Sequence, residues 1–196
     1  MKKSIYLHGF GAIACALLVI TVSAQMSAHA QASKHSEAHG HDSKIQIPEA
    51  MRLEHMEIHN RLVSATKMPG QVGEAARKLA AVLDPHFVRE EQIALPPLGL
   101  LAPLSRGEFT TEMREVLPMT DALRAELPRM LSEHKEIRAA TVRLGEAAKT
   151  AGEAQVERLA ETLKVHAQSE EEVFYPAALL VGDVVRARSA SGTSQR

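Results

Sequence analysis

Histidine and glutamate side chains recur at matched spacings in the two halves of the chain. The segment EHMEI around His55 returns as EHKEI around His134, 79 residues later. The motif His-x-x-x-Glu at residues 86–90 returns at residues 166–170, 80 residues later. Imidazole nitrogens and carboxylate oxygens are ligands that transition metals such as iron and zinc accept in proteins. The repeat therefore predicts a metal site to which both halves of the chain contribute.

The repeated side chains fall on helix faces that are otherwise apolar. Each glutamate follows its histidine by four residues, which places both on one side of a helix. An unpaired buried carboxylate is destabilising by on the order of several kcal/mol, and no lysine or arginine lies on these faces to neutralise it. Two bound cations would supply the charge, with carboxylates bridging a gap of roughly 3.5–4 Å. Nitrogen donors favour Fe, Mn or Zn over Mg or Ca.

Six residues form this candidate site, and their duplicated register is what favours metal binding for the set. For any one of them, a hydrogen-bonded interior histidine or an ordinary core position is the alternative interpretation. The six are His55, His86, Glu90, His134, His166 and Glu170. Glu91 and Glu171 directly follow the two glutamates, and we expect them to neighbour the ligands or face solvent. Tyr175 is either a hydrogen-bonding neighbour or a packing residue at a helix end.

Apolar residues at helical spacing predict four long helices that position these side chains. The first begins after Pro48, the second ends before Pro96, Gly152 separates the third from the fourth, and Pro176 ends the fourth. The core positions 79, 83, 86, 90 and 93 of the second helix return at 159, 163, 166, 170 and 173 of the fourth. The predicted fold class is all-α, an antiparallel four-helix bundle built from two repeated helical hairpins.

The histidine and glutamate pattern resembles that of the hemerythrin-like, or HHE cation-binding, domain family. The resemblance covers about residues 48–180 and rests on the doubled His-x-x-x-Glu motif together with His55 and His134. It implies a bundle that holds a non-haem di-iron centre bridged by carboxylates, with Mn or Zn as alternative metals. Members of this family bind O2 at an open iron position, and some handle NO, peroxide or iron itself.

The chain departs from the respiratory hemerythrin pattern on its third helix. That pattern has a second histidine four residues after the first, where this chain has Arg138. A pair with the same spacing does occur on the first helix, as His55 and His59. Our hypothesis is that the fifth histidine ligand has moved to this helix, so that one iron is held by His55, His59 and His86, and the other by His134 and His166. A solvated His59, or one beside the ligands, is the alternative.

The N-terminal segment predicts that the protein is exported. Residues 1–30 carry two lysines, an apolar run and small residues ending at Ala28-His29-Ala30, the pattern of a cleaved signal peptide. Residues 31–47 are predicted as a flexible arm with histidines at 35, 39 and 41, residues 48–186 as the bundle and residues 187–196 as a disordered tail. We expect a periplasmic protein with no membrane attachment after cleavage.

Composition excludes several classes of function. The chain has 196 residues and a formal net charge of −1, which argues against nucleic acid as the main partner. One cysteine cannot form a disulfide framework or a thiolate zinc site. Its few aromatic residues argue against a β-sandwich.

Three functions remain open from the sequence, which does not indicate an oligomeric state. The first is a binding protein for a small diatomic ligand, O2 or NO, at a di-iron centre. The second is an enzyme that consumes peroxide or reduces NO at the same centre, with Glu91, Glu171 or Tyr175 as proton donors. The third is metal handling, in which the histidine arm delivers iron or zinc to the bundle.

Overall fold

The structure is a computed structural model, and it describes residues 45–193. The predicted signal peptide and the arm histidines at 35, 39 and 41 lie outside the described residues, as do residues 194–196. None of the helices in the described part of the chain is both long and apolar enough to cross a membrane.

Residues 45–193 form helices and no strand, which confirms the all-α fold class. The helix pairs α1–α2, α2–α4, α4–α5 and α1–α5 pack against one another, as in a hemerythrin-like four-helix bundle. Two 3-10 helices and the short α3 connect the hairpins, and a π-helical turn joins α5 to α6. The helices are α1 Glu49–Thr66, α2 Gly70–Ile93, 3-10 Pro96–Leu100, α3 Leu101–Ser105, 3-10 Thr111–Glu115, α4 Val116–Ala151, α5 Ala154–Ser169, π Glu170–Phe174 and α6 Tyr175–Thr193.

Proline and glycine set the ends of the long helices. Pro48 directly precedes α1, where its missing N–H is not needed. Gly152 ends α4 with φ of 74°, a left-handed conformation that glycine adopts without strain. The turns between α1 and α2, and between α4 and α5, are therefore short, and each hairpin is tightly connected.

Three clusters of buried apolar residues lie within residues 45–193, and the smallest contains Leu100, Val116 and Val185. One is formed by α1, α2, α4 and α5 and contains Leu62, Leu79, Leu144 and Leu159. The second is formed largely by α2, the first 3-10 helix, α4 and α6, and contains Ile93, Leu95, Leu98, Leu123, Met130 and Tyr175. Each cluster has its own core residues, so burial of apolar surface stabilises the bundle at each of these places.

The end of the predicted arm differs from the sequence expectation. Ile45 and Ile47 pack, partly buried, against apolar clusters of the bundle. The packed structure therefore begins a few residues before Pro48, because two isoleucines in an otherwise polar segment have apolar surface to bury.

The path of the chain after Glu170 also differs from the prediction. Residues 170–174 form a π-helical turn, in which the Tyr175 N–H donates to the carbonyl of Glu170, five residues back. Val173, which lies within this turn, is 55% exposed although its counterpart Ile93 is buried. Pro176 lies within the helical run, and α6 continues to Thr193, where a disordered tail was predicted from residue 187.

Candidate metal centre

The six repeated histidines and glutamates all lie in the interior of the bundle. The glutamates are the most buried, with Glu90 0% and Glu170 1% exposed. The histidines come one from each long helix of the bundle: His55 from α1, His86 from α2, His134 from α4 and His166 from α5. Every one of the four is buried.

These six residues form two groups of potential ligands that share both glutamates. In the first group, single ligand atoms of His55, His166, Glu90 and Glu170 all lie within 4.8 Å of one another. In the second group, the same holds for His86, His134, Glu90 and Glu170. Each group could hold a metal ion, and a shared carboxylate has the geometry for a bridge.

The pairing of the histidines differs from our hypothesis, which joined His55 with His86 and His134 with His166. The ring centroids of His55 and His166 lie 5.1 Å apart, and those of His86 and His134 lie 4.6 Å apart. The reason is the packing of the helices: α1 lies against α5 and α2 against α4. Facing histidines therefore come from different hairpins rather than from the same one.

His59 is not brought to the cluster. Its side chain is 39% exposed, its Nδ1 lies 3.4 Å from Asp84, and it belongs to neither group of potential ligands. The buried positions of α1 are His55, Ile58, Leu62 and Ala65. A residue four positions after His55 is turned by about 40° around the helix, and here that turn takes His59 to the edge of the buried face.

Each of the four histidines meets a carboxylate through its other ring nitrogen. The Nδ1 atoms of His86 and His134 lie 2.9 Å from Glu133 and Glu171 respectively. The Nδ1 atom of His55 lies 3.2 Å from Glu91. Such carboxylates orient a metal-binding imidazole and keep its proton on Nδ1, which leaves Nε2 available as a ligand.

The fourth histidine, His166, lies farther from its carboxylate partner. Its Nδ1 lies 3.4 Å from Glu54, within range of an ion pair but without hydrogen-bond geometry. Sequence reasoning placed Glu91 and Glu171 beside the ligands but missed Glu54 and Glu133. The available signal was the repeated Glu-His dipeptide, because each of these glutamates directly precedes a candidate histidine yet contacts the histidine of another helix.

The pKa values of the two buried glutamates are shifted in opposite directions. Burial and the neighbouring charge of Glu170 raise the pKa of Glu90. Burial also opposes ionisation of Glu170, but the neighbouring imidazoles of His134, His166 and His55 outweigh it and hold its pKa well below the usual range. Two carboxylates this close are not both readily ionised without a compensating positive charge.

Protonation of His55 and His166 would supply such a positive charge when no metal is bound. Burial lowers the pKa of His55, but Glu170, Glu91 and Glu90 outweigh it and raise the pKa to about 9. Glu170 and Glu54 have the same effect on His166 and raise its pKa to about 10. A bound cation would replace these protons, since a metal-binding imidazole must be neutral.

The directions of the polar atoms fit a cation better than they fit hydrogen bonds. Nε2 of His166 lies 2.9 Å from Glu170, and Nε2 of His55 lies 3.6 and 3.8 Å from Glu170 and Glu90. Yet neither Nε2 atom has a hydrogen-bond partner among the described residues. Ligands about 2.0–2.2 Å from a shared metal ion are separated from one another by about 3 Å, so these atoms fit convergence on a common centre.

Tyr175 lies at the second group, where it was only a weak candidate from the sequence. Its side chain is 1% exposed, and its hydroxyl donates a hydrogen bond to Glu90. The same oxygen lies 3.1 Å from Nε2 of His134 and 3.4 Å from Nε2 of His86. Burial and the charges of Glu90 and Glu170 raise the pKa of this phenol.

A small apolar pocket adjoins the cluster. Its apolar lining includes Leu83, Phe87, Ile137 and Leu163, and its polar lining consists of cluster residues, His86, His134, His166 and Glu170. The Phe87 ring also stacks on His55, with centroids 4.0 Å apart. The apolar lining of the pocket largely excludes water from this side of the ligand groups.

The chain belongs to the family that this fold and site define. The model of the hemerythrin HHE cation-binding domain matches residues 46–178, which is most of the chain. No curated protein and no solved structure matches the chain significantly. The protein is therefore a hemerythrin HHE cation-binding domain protein, whose buried histidines and glutamates could hold metal ions.

Proposed function

We propose that this protein is a non-haem di-iron protein that binds O2 or NO reversibly. The observation that carries the proposal is the pair of four-residue ligand groups that share Glu90 and Glu170. Four imidazole nitrogens and two carboxylates suit iron, with Mn or Zn as alternatives, better than they suit Mg or Ca. When bound, two iron ions would supply a centre that takes up a diatomic ligand.

The surroundings of the cluster favour binding over consumption of the ligand. The pocket beside it is lined by Leu83, Phe87, Ile137 and Leu163, which supply no proton. Glu171 is engaged by His134 and Arg138, and Glu91 by His55. A ligand bound at this side of the cluster would therefore meet mainly apolar side chains and would be shielded from bulk water.

An enzyme that consumes peroxide or reduces NO is the second candidate, and one observation favours it. The hydroxyl of Tyr175 touches the cluster and is hydrogen-bonded to Glu90. A phenol at this place could hold a proton for a reduced ligand. Steady-state turnover of peroxide separates the two candidates, because a binding protein shows none.

The location of the protein forms part of the proposal and rests on the sequence alone. We propose that the chain is exported to the periplasm through residues 1–30, a segment with the composition of a signal peptide. An exported binding protein would meet O2 or NO as these gases diffuse into the cell.

The test is the metal content of the full chain, purified without a chelating tag, with its absorption spectrum recorded before and after exposure to air. About two irons per chain, with charge-transfer bands that appear in air and fade under vacuum, are expected for two ligand groups that hold one metal ion each. Bands that persist under vacuum would direct attention to peroxide or NO. Absence of iron would contradict the proposal.

A further inference from the structure

The two ligand groups are not equivalent, although the repeat makes their histidines and glutamates correspond. Tyr175 contacts the group of His86 and His134. Its counterpart in the first half of the chain, 80 residues earlier, is Leu95, which is equally buried and offers no ligand atom. At this matched position the two halves of the chain therefore differ by one buried oxygen, which contacts the group of His86 and His134.

The backbone positions Tyr175 and its counterpart Leu95 in the same way. The N–H of Tyr175 donates to the carbonyl of Glu170, and the N–H of Leu95 donates to the carbonyl of Glu90, each five residues back. Both side chains consequently lie at the same step past a shared glutamate. The chain has a phenol at one of these two matched positions and an isobutyl group at the other.

The contacts of the Tyr175 oxygen are not explained by hydrogen bonds alone. Its single proton is directed to Glu90. The proton of a neutral His134 belongs on Nδ1, because Glu171 accepts there at 2.9 Å, so Nε2 presents a lone pair. That lone pair lies 3.1 Å from the Tyr175 oxygen, which also presents a lone pair. A cation between such atoms would turn a repulsion into two bonds.

The two ligand groups also differ in the carboxylates that orient their histidines. Glu133 and Glu171, which orient His86 and His134, are themselves bound by Arg129 and Arg138. Within residues 45–193 no arginine contacts Glu54 or Glu91, the carboxylates of the other group. The group beside Tyr175 is thus the more firmly held of the two.

We propose that Tyr175 is a fifth protein ligand for the metal ion held by His86, His134, Glu90 and Glu170, which makes the two metal positions unequal. This inference rests on the proposed function. Bond formation between the Tyr175 oxygen and the metal releases the phenol proton to solvent and leaves a tyrosinate. The position of His55 and His166, with four protein ligands, then keeps more places for an external ligand.

The test uses the full chain loaded with ferric iron and read by visible absorption and by resonance Raman scattering excited in the tyrosinate-to-iron band. The other tyrosine, Tyr6, lies in the predicted signal peptide, so the variant is Tyr175→Phe, and its control is Glu172→Gln at an exposed position. The wild type and Glu172→Gln are expected to show tyrosinate vibrations, and Tyr175→Phe to lose them while still binding iron. A chelator should release one iron from Tyr175→Phe about tenfold faster or more, the size of effect seen even for groups that only orient ligands.

The outcomes separate this inference from the proposed function. If the wild-type chain binds about two irons without tyrosinate vibrations, the inference is overturned while the di-iron assignment of two ligand groups stands. If the wild-type chain binds no iron, the proposed function fails and the inference fails with it. The wild-type spectrum alone decides between these results, so the test does not depend on whether the Tyr175→Phe variant folds.

Discussion

A carboxylate oxygen of Glu90 lies within 4.8 Å of a carboxylate oxygen of Glu170, in the buried interior of the bundle. The two side chains reach this place from different hairpins, and burial makes their mutual repulsion strong because little water screens it. Each is also a member of both ligand groups. The metal site and the stability of the apo protein therefore depend on the same pair of residues.

Removal of the carboxylate charge of Glu170 should weaken metal binding at both positions. The variant Glu170→Gln keeps the shape of the side chain but removes a ligand that both groups share. We expect bound metal to fall from about two ions per chain to fewer than about one, as elemental analysis would show. Glu172→Gln is the matched control, because Glu172 is exposed and bonds only to Gln168. Equal metal loss in both variants would contradict the assignment.

His55 and His59 provide a direct comparison on one helix. His55→Ala should lose at least the metal ion of its own group, because the Nε2 atom of His55 is directed at Glu90 and Glu170. His59→Ala should retain its metal and change the free energy of unfolding by less than about 0.5 kcal/mol, as is usual for partly exposed side chains. Metal content and chemical denaturation measure both effects. Loss of metal from His59→Ala would restore the hypothesis of a fifth histidine ligand on α1.

The carboxylates that orient the histidines should tune metal affinity without being ligands. Glu133 accepts from Nδ1 of His86, so Glu133→Gln should weaken metal binding by about 10–100-fold. The variant is expected to keep the helical content of the wild type. Glu136→Gln, on an exposed position of the same helix, is the control. Competition with a chromophoric chelator gives the affinities, and unchanged affinity in Glu133→Gln would show that His86 needs no such partner.

The apolar lining of the pocket should be important for stability in the absence of metal. Leu163 is 1% exposed, and Leu163→Ala removes buried methyl groups and leaves a cavity, which lowers the free energy of unfolding by about 2–5 kcal/mol. Val165, on the same helix, is 65% exposed, and Val165→Ala should change it by less than about 0.5 kcal/mol. Urea denaturation of the apo proteins measures both values. Similar losses in the two variants would place the core elsewhere.

Most of the ligand set could be predicted from the sequence because burial and helical spacing act together. The positions 79, 83, 86, 90 and 93 of α2 share one helix face, and all five are buried. Titratable residues on such a face need a partner, and only a few arrangements supply one. The same reasoning identified the six buried residues of the two groups, because their types and spacing are local properties of a helix.

The pairing of these residues could not be predicted, because it depends on which helices lie side by side. His55 meets His166 rather than His86, since the chain order of the helices does not determine their lateral packing. His59 lies outside the two groups for a related reason. A spacing of four residues places two side chains near one another, but the rotation of about 40° between them is enough to take one from the buried face to its edge.

The π-helical turn at Glu170–Phe174 has a consequence for how the chain tolerates change in length. A helix that carries one residue beyond the α repeat is out of phase with its own earlier turns, and here that offset brings Tyr175 into the interior and Val173 to the surface. Deletion of one residue in this turn would restore the phase and turn Tyr175, with the rest of α6, by about 100° relative to α5. Which residue lies beside the candidate metal ligands therefore depends on the number of residues in this turn as well as on their types.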